Sequence, residues 1–235
     1  EDEYKDCGEF GWLQRNDTQF HWHNEGLSSF DQFLAALSSR KRKNIRKERK
    51  TVAASGLDIQ VLTGADITED HWDHFFHFYM DTGDRKWGTP YLTREFFSSV
   101  GESMAEDIAL VMVRNGGRWI AGAINFIGGD ALYGRNWGCI EHHDCLHFEV
   151  CYYTAIEFAI ARGLKRVEAG AQGPHKLARG YLPVTTRSVH MIQDPRLHSA
   201  VADYLEQERR AVARDNKLIE EHHSPFKKGE REEDY

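Results

Sequence analysis

Several things are missing from this chain, and each absence narrows what it can be. No apolar run approaches the roughly 18 residues a membrane span needs, and no charged-then-apolar leader opens the sequence, so the expectation is a cytoplasmic protein without a membrane span. There is no initiator methionine, which sets the further expectation of a fragment or processed chain. Cysteine is scarce: Cys7, Cys139, Cys145 and Cys151 contain no CxxC pair, and 235 residues are too many to need disulfide staples, so free thiols are expected. Neither a Walker loop nor GxGxxG is present, and no internal repeat suggests a solenoid. A net positive charge is lacking too: 30 basic residues face 37 acidic ones, for a net charge of −7, so any polyanion site must be a local basic patch.

One cluster raises the question of a metal. Cys139, Cys145 and Cys151 alternate with His142, His143 and His147, but even six-residue spacing matches no standard zinc arrangement, and no metal is expected.

What is present reads as one mixed α/β domain. Ser28 or Ser29 caps a helix with Phe30, Phe33, Leu34 and Leu37 at helical spacing, and that same helix turns basic from Arg40 to Lys50 before Gly56 ends it and LDIQVL offers a strand. The basic stretch is either a solvated face or an anion-binding one. Thr68 starts a helix with an apolar stripe of Trp72, Phe75, Phe76 and Tyr79, and Thr93 caps another after a loop containing Pro90. DIALVMVR, RWIAGAINF and ALYGRNWG, separated by NGG and GGD, form an antiparallel meander. A helix from His147 to Arg162, closed by Gly163, leads to the strand LKRVEAG; a helix between two strands makes them parallel, so the sheet is mixed. TTRSVHMI is the last strand, and Asp194 with Pro195 opens a final helix running toward Ile219.

Directly after LKRVEAG comes GAQGPHKLARGYLP, Gly170 to Pro183, at the strand end where open α/β sheets present ligands. Gly170 and Gly173 permit close backbone approach, Pro174 suits a first helical position, and the turn that follows aims N–H groups at an anion. Lys176 and Arg179, three apart on one face, can neutralise phosphate; the alternative is a plain turn with solvated cations. His175 is the candidate for proton transfer, since imidazole titrates near neutral pH, or else a loop histidine bonded to backbone. Glu168 either positions or deprotonates an amine or faces solvent beside Lys165 and Arg166. Glu149, near a helix start, has a structural role by the macrodipole. Arg85 and Trp87 in one loop, and Arg135 and Trp137 at the end of the meander, line a cleft or simply pack.

The order of meander, helix, strand and Gly-rich loop resembles the GNAT-like acyl-CoA N-acyltransferase fold. RKRKNIRKERK, LHFEVCYYTAIEFAIARGLKRVEAG and GAQGPHKLARGY are similar to a bacterial family of N-acyltransferases related to Fem-type peptidoglycan aminoacyltransferases, over about Gln19 to Ile192. The resemblance implies transfer of an acyl or aminoacyl group from an activated donor to the amine of a small molecule or of a peptide or cell-wall precursor. It implies no tightly bound cofactor, with acyl-CoA or aminoacyl-tRNA as cosubstrate and tRNA as a partner. Lys176, Gly180 and Tyr181 match an FKxxFG-like element whose lysine contacts substrate phosphates, with His175 in place of the Phe. The catalytic set is then His175, Lys176 and Glu168, and the binding set Gln172, Gly173, Arg179, Gly180, Tyr181, Arg85, Trp87, Arg135 and Trp137. QGPHKLARG does not reproduce the usual GNAT pyrophosphate loop, which leaves the donor open between the two carriers.

Members of that family carry an additional amino-terminal half, so the chain resembles the carboxyl-terminal part. The expected division is 1–28 as an amino-terminal segment left from a first unit, 29–222 as the GNAT-like domain and 223–235 as a disordered tail. Two other readings stay open: a noncatalytic module binding an anion or partner through the same loop and basic helix, and a metal-dependent hydrolase on the Cys/His cluster.

Overall fold

The computed structural model describes residues 2–85, 88, 90–171 and 173–227. The chain divides into two compact units, one made of residues 1–21 with 170–235 and the other of Trp22–Ala169.

The chain opens with helix α1 (Asp2–Glu9) and strand β1 (Leu13–His23), whose last two residues pass into the second unit. Neither element was expected: LQRNDTQFHWH is too polar to announce a strand by alternation alone.

The second unit holds α2 (Phe30–Ala36), α3 (Ser39–Ala53), β2 (Asp58–Leu62), α4 (Glu69–Arg85), α5 (Arg94–Met104), β3 (Ile108–Asn115), β4 (Arg118–Gly128) and β5 (Ala131–Cys139). It continues with α6 (Leu146–Phe148), a π-helical turn at Glu149–Tyr153, α7 (Thr154–Ala161) and β6 (Arg166–Glu168). The strands lie in sequence order from β2 to β6, antiparallel up to β5 and parallel between β5 and β6, with Tyr133 opposite Glu168. As a helical crossover requires, α6 and α7 return the chain to run beside β5 in the same direction.

Strand β3 explains why this sheet is covered on both faces. Its residues Ile108 to Val113 are all buried, and period-2 alternation sends them to opposite sides. Ile108, Leu110 and Met112 meet Trp72, Phe75, Phe78 and Phe97 of α4 and α5. Val111 and Val113 meet Val52 of α3 and Leu146 and Val150 of the α6 region. Two glycines bring α4 against the sheet: a Cβ on Gly138 would stand 2.3 Å from the backbone oxygen of Phe78, and one on Gly122 would stand 3.1 Å from Phe75.

One expected helix is in fact two. Leu37 (ψ 152°) and Ser38 (ψ 149°) are extended and separate α2 from α3. The break falls where the apolar pattern stops: Phe33, Leu34 and Leu37 serve α2, whereas α3 buries Ile45 and Val52. The strand expected over LKRVEAG is shorter, three residues.

In the first unit a 3-10 turn (Pro174–Arg179) follows Gly173, then β7 (Leu182–His190) and α8 (Pro195–His223), longer than the pattern to Ile219 implied. β1 and β7 pair antiparallel, Leu13 opposite His190. Asp194 caps α8 by accepting from the N–H groups of Arg196 and Leu197. Arg15 binds Glu208 at 2.9 Å, and Asn216 bridges Thr18 and Thr185, fixing α8 along the β1–β7 strand pair. Among the described residues no helix is long and apolar enough to cross a membrane.

Candidate functional site

The Gly170–Tyr181 segment is built by backbone freedom. Gly170 (φ 74°), Gly173 (φ 106°) and Gly180 (φ 90°) all occupy the region that suits glycine. At Gly173 space matters too, because a Cβ would lie 2.3 Å from the His175 ring. Between Gly173 and Gly180 the 3-10 turn closes through Lys176 N–H to Gly173 O (3.1 Å) and Gly180 N–H to Leu177 O (3.2 Å).

The two cations of this turn are not solvated. Lys176 is 5% exposed and Arg179 6%, beside a fully buried Tyr181. Lys176 Nζ donates to the Gly170 carbonyl at 3.1 Å, an oxygen that also accepts from the Phe20 N–H, and the ammonium stands 5.8 Å from the Phe20 ring centroid. Arg179 Nη1 donates to the His175 carbonyl at 2.7 Å. The cations are therefore not the solvated ones of the alternative reading, and burying two charged groups within four residues costs free energy unless they are paired or hydrogen-bonded. His175 is itself exposed, yet partial loss of solvation at its ring, followed by the charges of Arg179 and Lys176, lowers its pKa. One turn thus holds an imidazole with a lowered pKa next to two buried cations, a combination suited to an oxyanion or phosphate and to proton transfer.

The other expected residues fall in the second unit and divide by task. Arg85 Nη2 donates to the Cys139 carbonyl at 2.6 Å and its Nε to Asp81 at 2.8 Å, so it secures the end of β5. Trp137, half-buried, packs edge-on against His147 at 5.5 Å and lies against the core on the α6 side of the sheet. Arg135 occupies a β-bulge, where Asn136 pairs Ile124 and Gly134 pairs Asn125, and is exposed with its guanidinium 5.9 Å from the Tyr133 ring. Glu168 accepts from Arg166 Nε at 3.0 Å, and Arg166 also reaches Tyr133 Oη at 3.2 Å. Arg135 thus lies near the Tyr133 ring at a bulge of the kind that re-aims side chains, and Glu168 pairs with Tyr133 across the strands while its carboxylate is held by Arg166. Gln172 and Trp87 lie outside the described residues.

Sequence reasoning missed a half-buried ionic cluster in this unit, centred on the buried Glu149. Arg49 reaches inward from α3 to Glu149 (Nε–Oε1 3.0 Å) and Glu157 (Nη1–Oε1 2.6 Å), with its guanidinium 4.5 Å from the Phe30 ring. Tyr153 donates to Glu48 from the neighbouring turn. Burial pushes the Glu149 carboxyl up, partly opposed by the Arg49 charge, so Glu149 does more than favour a macrodipole. The readable signal was two carboxylates in an otherwise apolar helix. The cluster coincides with the π turn, and Cys145 just before it has φ 64°. Among the described residues no group of His, Cys, Asp and Glu side chains could hold a metal ion.

A family model, FemAB-like, described as peptidoglycan biosynthesis/recognition, matches residues 1–228. No curated protein sequence matches the chain. Among solved structures, L-PGS from Bacillus licheniformis is similar at a TM-score of 0.60 and 9% identity, over 87% of this chain and 70% of that one. FemX is similar at 0.57 and 12%, over 79% of this chain and 64% of that one. The C-terminal domain of an Agrobacterium fabrum protein named for lysylphosphatidylglycerol synthesis follows at 0.56 and 11%, over 87% and 68%. The chain thus spans about two thirds of each. At these identities the likeness is one of fold, and the α/β class with a mixed sheet agrees with it.

Proposed function

The chain belongs to the FemAB-like family, and from that premise we propose that it is an N-acyltransferase moving an acyl or aminoacyl group from an activated ester or thioester to an amine. The observation that carries this reading is the buried cation pair of the Gly170–Tyr181 turn, with Lys176 fixed on the Gly170 carbonyl.

In the reaction the amine nitrogen bonds to the acyl carbon, the ester C–O or thioester C–S bond breaks, and the amine gives up a proton. His175, whose surroundings disfavour the imidazolium, takes that proton and returns it to the leaving oxygen or sulfur. Lys176 and Arg179 stabilise negative charge on the leaving group or its phosphates. Gly173, Gly180 and Tyr181 set the turn's shape. Aminoacyl-tRNA is the favoured donor and acyl-CoA the alternative; a peptide or cell-wall precursor amine is the acceptor that the family description supports.

The test is turnover by the full chain offered charged tRNAs or acyl-CoAs with candidate amines. Product should form with one donor class. Lys176→Ala should lower kcat/KM by about a hundredfold or more, the size of losing one preorganised donor, and His175→Asn should lower kcat. If the protein binds donor but never consumes it, the turn belongs to a noncatalytic anion-binding module instead.

A further inference from the structure

Helix α3 carries eight cations and one carboxylate between Arg40 and Lys50 in a chain whose net charge is −7. The structure sorts them. Glu48 is engaged by Tyr153 and Arg49 is turned inward onto Glu149 and Glu157. Arg40, Lys43, Arg46, Lys47 and Lys50 are exposed, and among the described residues none of the five has an acidic partner. At about 100° per residue these five fall within one third of the helix circumference, along about 15 Å of its length. Ile45 and Val52, the apolar residues of the helix, point into the core.

We propose that this ridge docks the phosphodiester backbone of a folded RNA, which makes α3 the holding surface for a tRNA donor; this rests on the tRNA form of the function proposed above. Three features favour that occupant over an anionic bilayer. The ridge has no apolar edge to enter a headgroup layer, and interfacial helices bind through such an edge together with their charge. Its convex form lets five long side chains diverge toward the phosphates flanking a groove. The rest of the chain is strongly acidic, so an extended anionic plane is repelled by more of it than a polymer touching the ridge alone. The absence of aromatic side chains from the ridge makes the contact independent of sequence.

The experiment is fluorescence anisotropy of the full chain with total deacylated tRNA across a salt series. Five phosphate contacts give a slope of log affinity against log salt of about −4 to −5, and each removed cation lowers it by about 1. Lys43→Glu/Arg46→Glu/Lys47→Glu should flatten the slope to about −1 to −2 and weaken low-salt binding at least a hundredfold, with an unchanged circular-dichroism melt. Arg196→Glu/Lys217→Glu on α8 should bind like the parent. The proposal is overturned if the parent fails to bind RNA at low salt, or if the triple variant keeps the parent's slope. It is overturned equally if the ridge binds phosphatidylglycerol vesicles and not RNA. Deacylated tRNA separates the two claims: RNA binding without any transfer defeats only the enzyme reading, whereas transfer from acyl-CoA with no RNA binding defeats this one.

Discussion

Replacing Arg49 by methionine removes the one cation that two carboxylates of the α6–α7 region share, and the consequence can be worked from the geometry. Glu149, whose side chain is 9% exposed, loses hydrogen bonds to Arg49 Nε at 3.0 and 3.2 Å; Glu157, 42% exposed, loses its own pair. Breaking a buried pair by deleting one partner costs about 3–5 kcal/mol, whereas an exposed pair is worth about 1 or less. Arg49 is itself 29% exposed, which places this case at about 2–4 kcal/mol, near the lower end of the buried range.

The pH dependence has a definite sign. Burial already holds the Glu149 carboxyl above its ordinary value, and loss of the arginine raises it further. The native state then keeps this proton where the unfolded chain releases it. The associated stability is full below the unfolded carboxylate value of about 4.3 and falls as pH rises toward the folded one, by at most about 1.4 kcal/mol per pH unit. Urea melts followed by circular dichroism at pH 5, 6, 7 and 8 should show Arg49→Met losing stability more steeply with pH than the parent. Adding Glu149→Gln should recover most of the loss and remove the extra slope. A single variant within 1 kcal/mol of the parent at pH 8, with the parent's slope, would refute the reasoning, as would a double variant no better than the single one.

Gly173→Ala combines a strained φ with contact against the His175 ring and should cost about 1–3 kcal/mol in the same melts, with loss of donor binding; parent-like stability and binding would contradict the geometry. Gly138→Ala places a methyl against main chain of α4 that has no flexible end to move, so soluble yield should collapse, and a normal yield would mean that α4 can shift. His175 has a lowered pKa, so its stabilising contribution is present above the unfolded value of about 6.5 and is lost as pH falls through the folded one. An NMR titration should place its midpoint below that of an unfolded-state histidine, and Lys176→Met should move it upward by removing a neighbouring cation. A midpoint that stays put would show that the Lys176 charge is not felt at the ring.

Which parts of the protein were readable follows from how far each determinant reaches along the chain. The meander and the α4 stripe announced themselves because Ile108–Val113 and Trp72–Tyr79 carry their periodicity within a few residues. The Gly170–Tyr181 turn was readable for the same reason: its glycines, proline and cations are contiguous, and their conformations follow from local backbone sterics. Strand β1 escaped because its partner β7 lies more than 160 positions away, and LQRNDTQFHWH has little alternation of its own. The division at Leu37–Ser38 escaped because two amphipathic faces in succession read as one helix unless their phases are compared. The burial of Lys176 and Arg179 and the inward turn of Arg49 were also hidden, since sequence reports a charge and not which way it faces. The basic residues most visible in the sequence, those of α3, include the one that the fold uses as an internal clamp, and the two loop cations are buried rather than presented to solvent. The Arg49 clamp helps to hold α3 in place, together with the core packing of Ile45 and Val52. If the ridge binds RNA as proposed, Arg49→Met should weaken that binding without removing any contact to phosphate, through a looser helix rather than a less charged one, so affinity should drop while the salt slope stays near the parent's value.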